Sequence, residues 1–197
     1  MLTLEGNSRY TNLGMKYKVK GTDQGKIIIF DLDDTLVKTD AKVRILHSKT
    51  HEVLKELTPE QFNNFVKKKH HVLDYDDFDS PDLLRKGDII KDIFEILKSS
   101  YEKKIPVAIL TARSDSDLVR NFMLENGIDI HPDLVIAIND PQFGYKGTIA
   151  ERKKKAIEDL VDSGYKELVF FDDNEDNLKL AKSVTGYKDS IIKTIQV

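Results

Sequence analysis

The sequence predicts an α/β protein: a mostly parallel sheet covered by helices, with a small cap inserted after the first strand. Two observations predict it. Five short apolar runs recur along the chain, and four of them are apolar almost without interruption, as strands buried on both faces of a parallel sheet are. Between them lie stretches whose apolar residues follow helical spacing, the alternation expected of βαβ crossovers.

The strands are expected at Lys26–Phe30 (KIIIF), Ile105–Leu110 (IPVAIL), Leu134–Ile138 (LVIAI), Glu167–Phe171 (ELVFF) and Ser190–Ile195 (SIIKTI). A helix before the second strand is marked by Ile89, Ile90, Ile93, Phe94, Leu97 and Tyr101. The next shows Ser114 and Asp117 as a capping pair, Leu118, Phe122 and Met123 as its apolar face and Gly127 as its stop. Ala156, Ile157, Leu160 and Val161 form the face of a third, closed by Gly164. Leu178, Ala181 and Val184 form that of a fourth, closed by Gly186.

Residues 26–36 and 88–197 then make up the core. Residues 37–87 are too long for a βα loop and read as a cap of a hairpin or two with one helix, which starts at Thr58-Pro-Glu-Gln. Residues 1–25 are polar and Gly-punctuated, an extension with room for one short strand.

Composition narrows the function. With 197 residues, 40% hydrophobic and 33% charged, the chain reads as a soluble globular protein with a charged surface. It has no Cys, which excludes a disulfide scaffold, a thiolate metal site and a Cys nucleophile. A net charge of -3 gives no global pull toward nucleic acid or an anionic membrane. No apolar run reaches a bilayer-spanning length, and the first residues lack a signal-peptide core, so a cytoplasmic location is expected.

Chemistry concentrates at strand ends. The first strand runs into Asp31-Leu32-Asp33-Asp34-Thr35, and the fourth into Asp172-Asp173-Asn174-Glu175-Asp176-Asn177. Ligands of open α/β sheets bind beyond the carboxyl ends of the strands. Neighbouring carboxylates repel unless they share a cation. An Asp after a strand is also a common turn or cap residue, but two acidic strand ends in one sheet point to a hard, oxygen-liking divalent cation, most simply Mg²⁺. The second strand ends in Thr111-Ala112-Arg113-Ser114, where a hydroxyl, backbone N–H groups and a guanidinium make an anion cradle.

These pieces resemble the haloacid dehalogenase-like superfamily of phosphohydrolases. An apolar strand followed by Asp-x-Asp-x-Thr matches Asp31, Asp33 and Thr35. A strand ending in Ser or Thr matches Thr111, and a strand ending in an acidic pair matches Asp172 and Asp173. Its lysine, near the start of the helix before the acidic pair, falls among Lys146, Lys153, Lys154 and Lys155. Lys153 lies one turn before Ala156 and Ile157 on the inward side, with Lys154 next and Lys146 third.

The resemblance implies a Rossmann-like three-layer core and a Mg²⁺-dependent phosphatase working through an aspartyl-phosphate. Asp31 would be the nucleophile, Asp33 the general acid and base, and Thr111 and Lys153 would neutralise the phosphoryl group. Thr35, Ala112, Arg113 and Lys154 would lie against the substrate. The metal would be held by Asp31, the Asp33 carbonyl and Asp173, with Asp172 the alternate.

Within the superfamily the motif pattern is nearest to polynucleotide kinase-phosphatase phosphatase domains and small nucleotidases. The implied partner is a phosphorylated small molecule or a nucleotide or nucleic-acid end, with no membrane involved. A phosphotransferase on the same core, and a non-catalytic module binding a phosphorylated partner, are the alternatives. Nothing in the sequence sets the oligomeric state.

Overall fold

The computed structural model describes residues 25–63 and 65–197. The extension expected over 1–25 therefore lies, Gly25 apart, outside the described residues. In chain order the strands are β1 (Lys26–Phe30), β2 (Val37–Lys38), β3 (Val43–His47), β4 (Val53–Leu57), β5 (His71–Asp74), β6 (Asp88–Ile89), β7 (Val107–Thr111), β8 (Val135–Ala137), β9 (Glu167–Asp172) and β10 (Ile191–Gln196). The helices are α1 (Pro59–Asn63), α2 (Pro81–Arg85), α3 (Lys91–Glu102), α4 (Ser116–Glu125), α5 (Ile149–Asp162) and α6 (Glu175–Lys182).

The core is a five-stranded sheet in the order β10-β9-β1-β7-β8, and every pairing in it is parallel. β1 is central, and its residues alternate between two cores. Ile28 and Phe30 pack with Phe94 and Leu97 of α3 and with Leu118, Val119, Phe122 and Met123 of α4. Ile27 and Ile29 pack with Ala156, Ile157, Leu160 and Val161 of α5 and with Leu178 and Ala181 of α6.

This two-sided burial explains why the strands read as unbroken apolar runs. It also follows from handedness. The chain moves from β1 out to β7 and β8, then returns to β9 and β10 on the other side. Right-handed crossovers place the helices of the two excursions on opposite faces. The result is a three-layer, Rossmann-like α/β fold, and its strand order reverses between β1 and β9, where such sheets open a crevice for ligands.

The third expected strand is trimmed at both ends. The second starts two residues later than its apolar run: Ile105 and Pro106 precede the ladder, although the Pro106 carbonyl still accepts from Ile28 N (3.0 Å). The α4 cap is corrected. Asp115, not Ser114, is the N-cap, accepting from Leu118 N (2.9 Å). Ser114 Oγ instead donates to Asp79.

The inserted segment holds a three-stranded antiparallel sheet, β4-β3-β5, around a small apolar core of its own: Val43, Ile45 and Leu57 with Phe62, Phe65, Leu73 and Phe78. It leaves and re-enters the core through the antiparallel β2–β6 pair, where Val37 faces Ile89 and Lys38 faces Asp88. Gly87 makes that neck possible. A Cβ there would sit 2.6 Å from Val37 Cγ2, 2.9 Å from Thr39 Cγ2 and 3.0 Å from the Lys38 carbonyl. Gly87→Ala is expected to destabilise the protein by about 1–3 kcal/mol through overpacking, read as a lower urea midpoint with an unchanged slope. An unchanged midpoint would mean that the neck gives way freely.

No helix among the described residues is long and apolar enough to cross a membrane.

Candidate functional site

The sheet itself brings the acidic strand ends together. The β1–β9 ladder runs on past β1, with Asp31 N donating to the Phe171 carbonyl (2.9 Å), so Asp31 lies beside the end of β9. Asp31, Asp172 and Asp173 each offer a carboxylate oxygen, and these oxygens lie within 4.8 Å of one another. Directly after Asp31 the chain makes a tight turn in which the Leu32 carbonyl accepts from Leu36 N (2.9 Å) and Val37 N (3.1 Å). Asp34 takes a left-handed φ of 58° there, a conformation that Asp tolerates better than most residues.

Of the candidate lysines, Lys153 reaches this cluster. α5 begins with a capping box between Thr148 and Glu151, and the helical phase set by Ala156 and Ile157 carries Lys153 inward. Its side chain is 1% exposed, with Nζ 2.9 Å from Asp31 Oδ1 and 2.7 Å from Asp172 Oδ2. Burial alone would discharge an ammonium. The charges of Asp31 and Asp172 outweigh that desolvation and hold Lys153 above its ordinary pKa, firmly protonated. Lys154 is half-buried, Lys146 is exposed, and Lys155 pairs on the surface with Asp159 and Glu158.

The two carboxylates of β9 differ. Both oxygens of Asp172 accept from Asn177 Nδ2 (3.0 and 3.2 Å), and Oδ1 also takes Asn174 N (2.8 Å). Asp172 is therefore anchored by the N-terminus of α6 and by Lys153. Asp173 is half-buried, and its carboxyl is pushed up to about 6, first by burial and then by the charge of Asp172. Burial likewise drives Asp31 well above the usual carboxylate range, with Asp172 and Asp33 adding to it against the pull of Lys153. Three carboxylates thus face one ammonium, an excess of negative charge in a low-dielectric setting.

Such a donor set fits a hard divalent cation. The least committed side chain is Asp173. The turn beside the cluster also buries a hydroxyl, Thr35 Oγ1, that has no hydrogen-bond partner among the described residues.

Asp33 and Arg113 form a second unit. Arg113 Nη2 and Nε donate to the two oxygens of Asp33 (2.7 and 2.9 Å), and the Arg113 side chain is 1% exposed. Both Asp33 oxygens are thus engaged by one guanidinium. Arg113 N donates to Thr111 Oγ1 (3.3 Å), and Thr111 is fully buried at the end of β7. Ala112 is half-buried, and its carbonyl accepts from Asn139.

Sequence reasoning gave no site role to Asn177 or Asp79 and did not bring Phe78 to Arg113. Asn177 had a signal: an Asn three residues into a helix that starts on an acidic strand end faces back toward that strand. Phe78 and Asp79 had none, because their contacts depend on where the cap lands.

The raised Asp173 carboxyl has a consequence for stability in the absence of cations. A carboxyl raised to about 6 binds a proton on folding between its ordinary value near 4 and that pH, so its ionisation costs stability above that window. Asp173→Asn, a neutral isostere, is expected to melt a few degrees higher than the parent in EDTA at about pH 8, with the gap closing below about pH 6. Millimolar Mg²⁺ should raise the melting temperature of the parent more than that of the variant. A variant less stable than the parent at every pH would contradict this.

Fold and site together define a Rossmann-like α/β protein with a buried carboxylate–lysine cluster at the sheet's switch point. No family model matches the chain, and no curated protein matches it.

Proposed function

We propose that this chain is a divalent-cation-dependent phosphatase of the haloacid dehalogenase-like type, hydrolysing a phosphate monoester through an aspartyl-phosphate on Asp31. One observation carries the reading: Asp31, Asp172 and Asp173 converge from adjacent strand ends with Lys153 buried between two of them.

In this mechanism an Asp31 oxygen attacks phosphorus in line, and the bond from phosphorus to the ester oxygen breaks. Asp33 gives a proton to the departing oxygen. It then takes one from water as that water attacks phosphorus, releasing inorganic phosphate and restoring Asp31. Lys153 holds Asp31 in one orientation and offsets charge on the phosphoryl oxygens, as positioned electrostatic groups do. Thr111 and main-chain N–H groups near it would bind the same oxygens. Asn177 and Asn174 fix Asp172, which in turn fixes Lys153.

Asp31, Asp173 and the Asp33 carbonyl would hold Mg²⁺, which when bound offsets the repulsion between a carboxylate and a phosphate dianion. The proposed substrates are phosphorylated small molecules and phosphorylated nucleotide or nucleic-acid ends.

The test is a phosphate-release screen over an aryl phosphate, nucleotides, 3′- and 5′-phosphorylated oligonucleotides, sugar phosphates and phosphopeptides, with water as the sole acceptor. Turnover in Mg²⁺ that EDTA abolishes is expected. Turnover that survives EDTA, or no turnover on any class, contradicts the proposal.

A further inference from the structure

Arg113 occupies a position that a simple substrate-binding arginine does not need. Its Nε and Nη2 fill both oxygens of Asp33, while Nη1 donates to the main-chain carbonyl of Phe78 in the cap. The guanidinium also lies over the Phe78 ring, 5.7 Å from its centroid. One residue on, Ser114 Oγ donates to Asp79. Residues 78 and 79 of the cap are thus strapped to residues 113 and 114 at the end of β7.

The strapped segment is rigidly part of the cap. Phe78 packs in the cap's apolar core. Asp77 accepts from Lys42 N (3.0 Å) and from Arg44, which also pairs with Asp74 (3.6 Å). Past Ser80 the chain is anchored to the core instead. Arg85 forks onto Glu125 of α4 (2.9 and 2.7 Å), and Leu84 belongs to the main core. The β3–β5 sheet therefore meets the core through its neck on one side and through the Arg113 strap on the other.

We infer that Arg113 is the catch of a substrate-released latch: it exchanges Asp33 and the Phe78 carbonyl for the oxygens of an incoming phosphate, freeing Asp33 for the leaving group and unstrapping the cap. The inference rests on the phosphatase reading and specifies how that site is regulated.

The chemistry favours the exchange. While Arg113 is seated, each Asp33 oxygen already accepts from the guanidinium, so an ester oxygen has to compete for them. A guanidinium fork fits phosphate as well as carboxylate, and a dianion is the stronger acceptor. The Phe78 carbonyl is the weaker partner, being neutral, and is left without its donor when the fork turns. A ligand that binds better to the unlatched arrangement shifts the population toward it.

Hydrogen exchange of the full chain, with Mg²⁺ and with or without inorganic phosphate, tests the latch. In the parent protein phosphate is expected to speed exchange of the amides in 74–80 by about tenfold, the effect of losing one charge-assisted hydrogen bond, while α5 stays protected. Arg113→Lys keeps the charge but not the fork, so it should show fast exchange in 74–80 before phosphate is added and no further response. Ser114→Ala removes only the second strap. It should raise exchange in 74–80 partially and keep the phosphate response, which makes it the reference should the lysine variant fold poorly.

Phosphate that binds by calorimetry yet leaves exchange in 74–80 unchanged or slower, in a protein that does hydrolyse phosphate esters, overturns the latch alone. A protein that neither binds phosphate nor turns over any ester loses the phosphatase reading, and the latch with it.

Discussion

Asp31→Asn is expected to leave a folded protein in which the proposed Mg²⁺-dependent phosphate release is lower by about 10³-fold or more, the scale on which loss of an attacking group acts. The amide is the same size and still accepts from Lys153 Nζ through its carbonyl oxygen, so packing at the end of β1 is undisturbed. Burial raises the Asp31 carboxyl because ionising it there is costly. Removing that charge relieves the cluster, and the variant is expected to melt no lower than the parent in EDTA. Activity and stability move in opposite directions, which separates loss of the nucleophile from loss of the fold. Residual release within tenfold of the parent would remove Asp31 from the chemistry.

Lys153→Met has the largest expected effect on stability, about 3–5 kcal/mol of destabilisation by urea unfolding, the usual result of removing one partner from a buried ion pair. The methionine fills much of the same space against Phe170, over whose ring Nζ lies at 5.8 Å. What is lost is the charge that holds Asp31 and Asp172 side by side. A second change, Asp172→Asn, should then cost less in the Lys153→Met background than in the parent, because the carboxylate it removes has already lost its partner. Strict additivity of the two would mean that Lys153 and Asp172 do not act as a pair.

Much of this site is legible in the sequence, because strand ends in a parallel sheet are legible. KIIIF and ELVFF are apolar on both faces, so the charged residues that follow can only lie at the sheet's rim, and the parallel order puts both rims on one side. Lys153 is legible from helical phase, since a lysine one turn before Ala156 and Ile157 shares their inward face. Local capping is less so: Ser114 and Asp115 both suit the start of α4, and Ser114 is drawn off by Asp79.

The cap is the least legible part. In β4 the residues Val53, Leu54, Lys55 and Glu56 are all exposed, so no alternation of burial marks the strand. The same gap hides the partner of Asp33. Arg113 reads as a phosphate contact from its neighbours in sequence, and only the fold brings Asp33 and Phe78 to it.

The most direct measurement is an anomalous difference map from crystals soaked in Mn²⁺, which takes the same oxygen ligands as Mg²⁺. A single strong peak about 2 Å from oxygens of Asp31 and Asp173, with Lys153 still seated on Asp172, is the predicted result. No peak at the meeting of β1 and β9, or a peak only at surface carboxylates, would contradict the account.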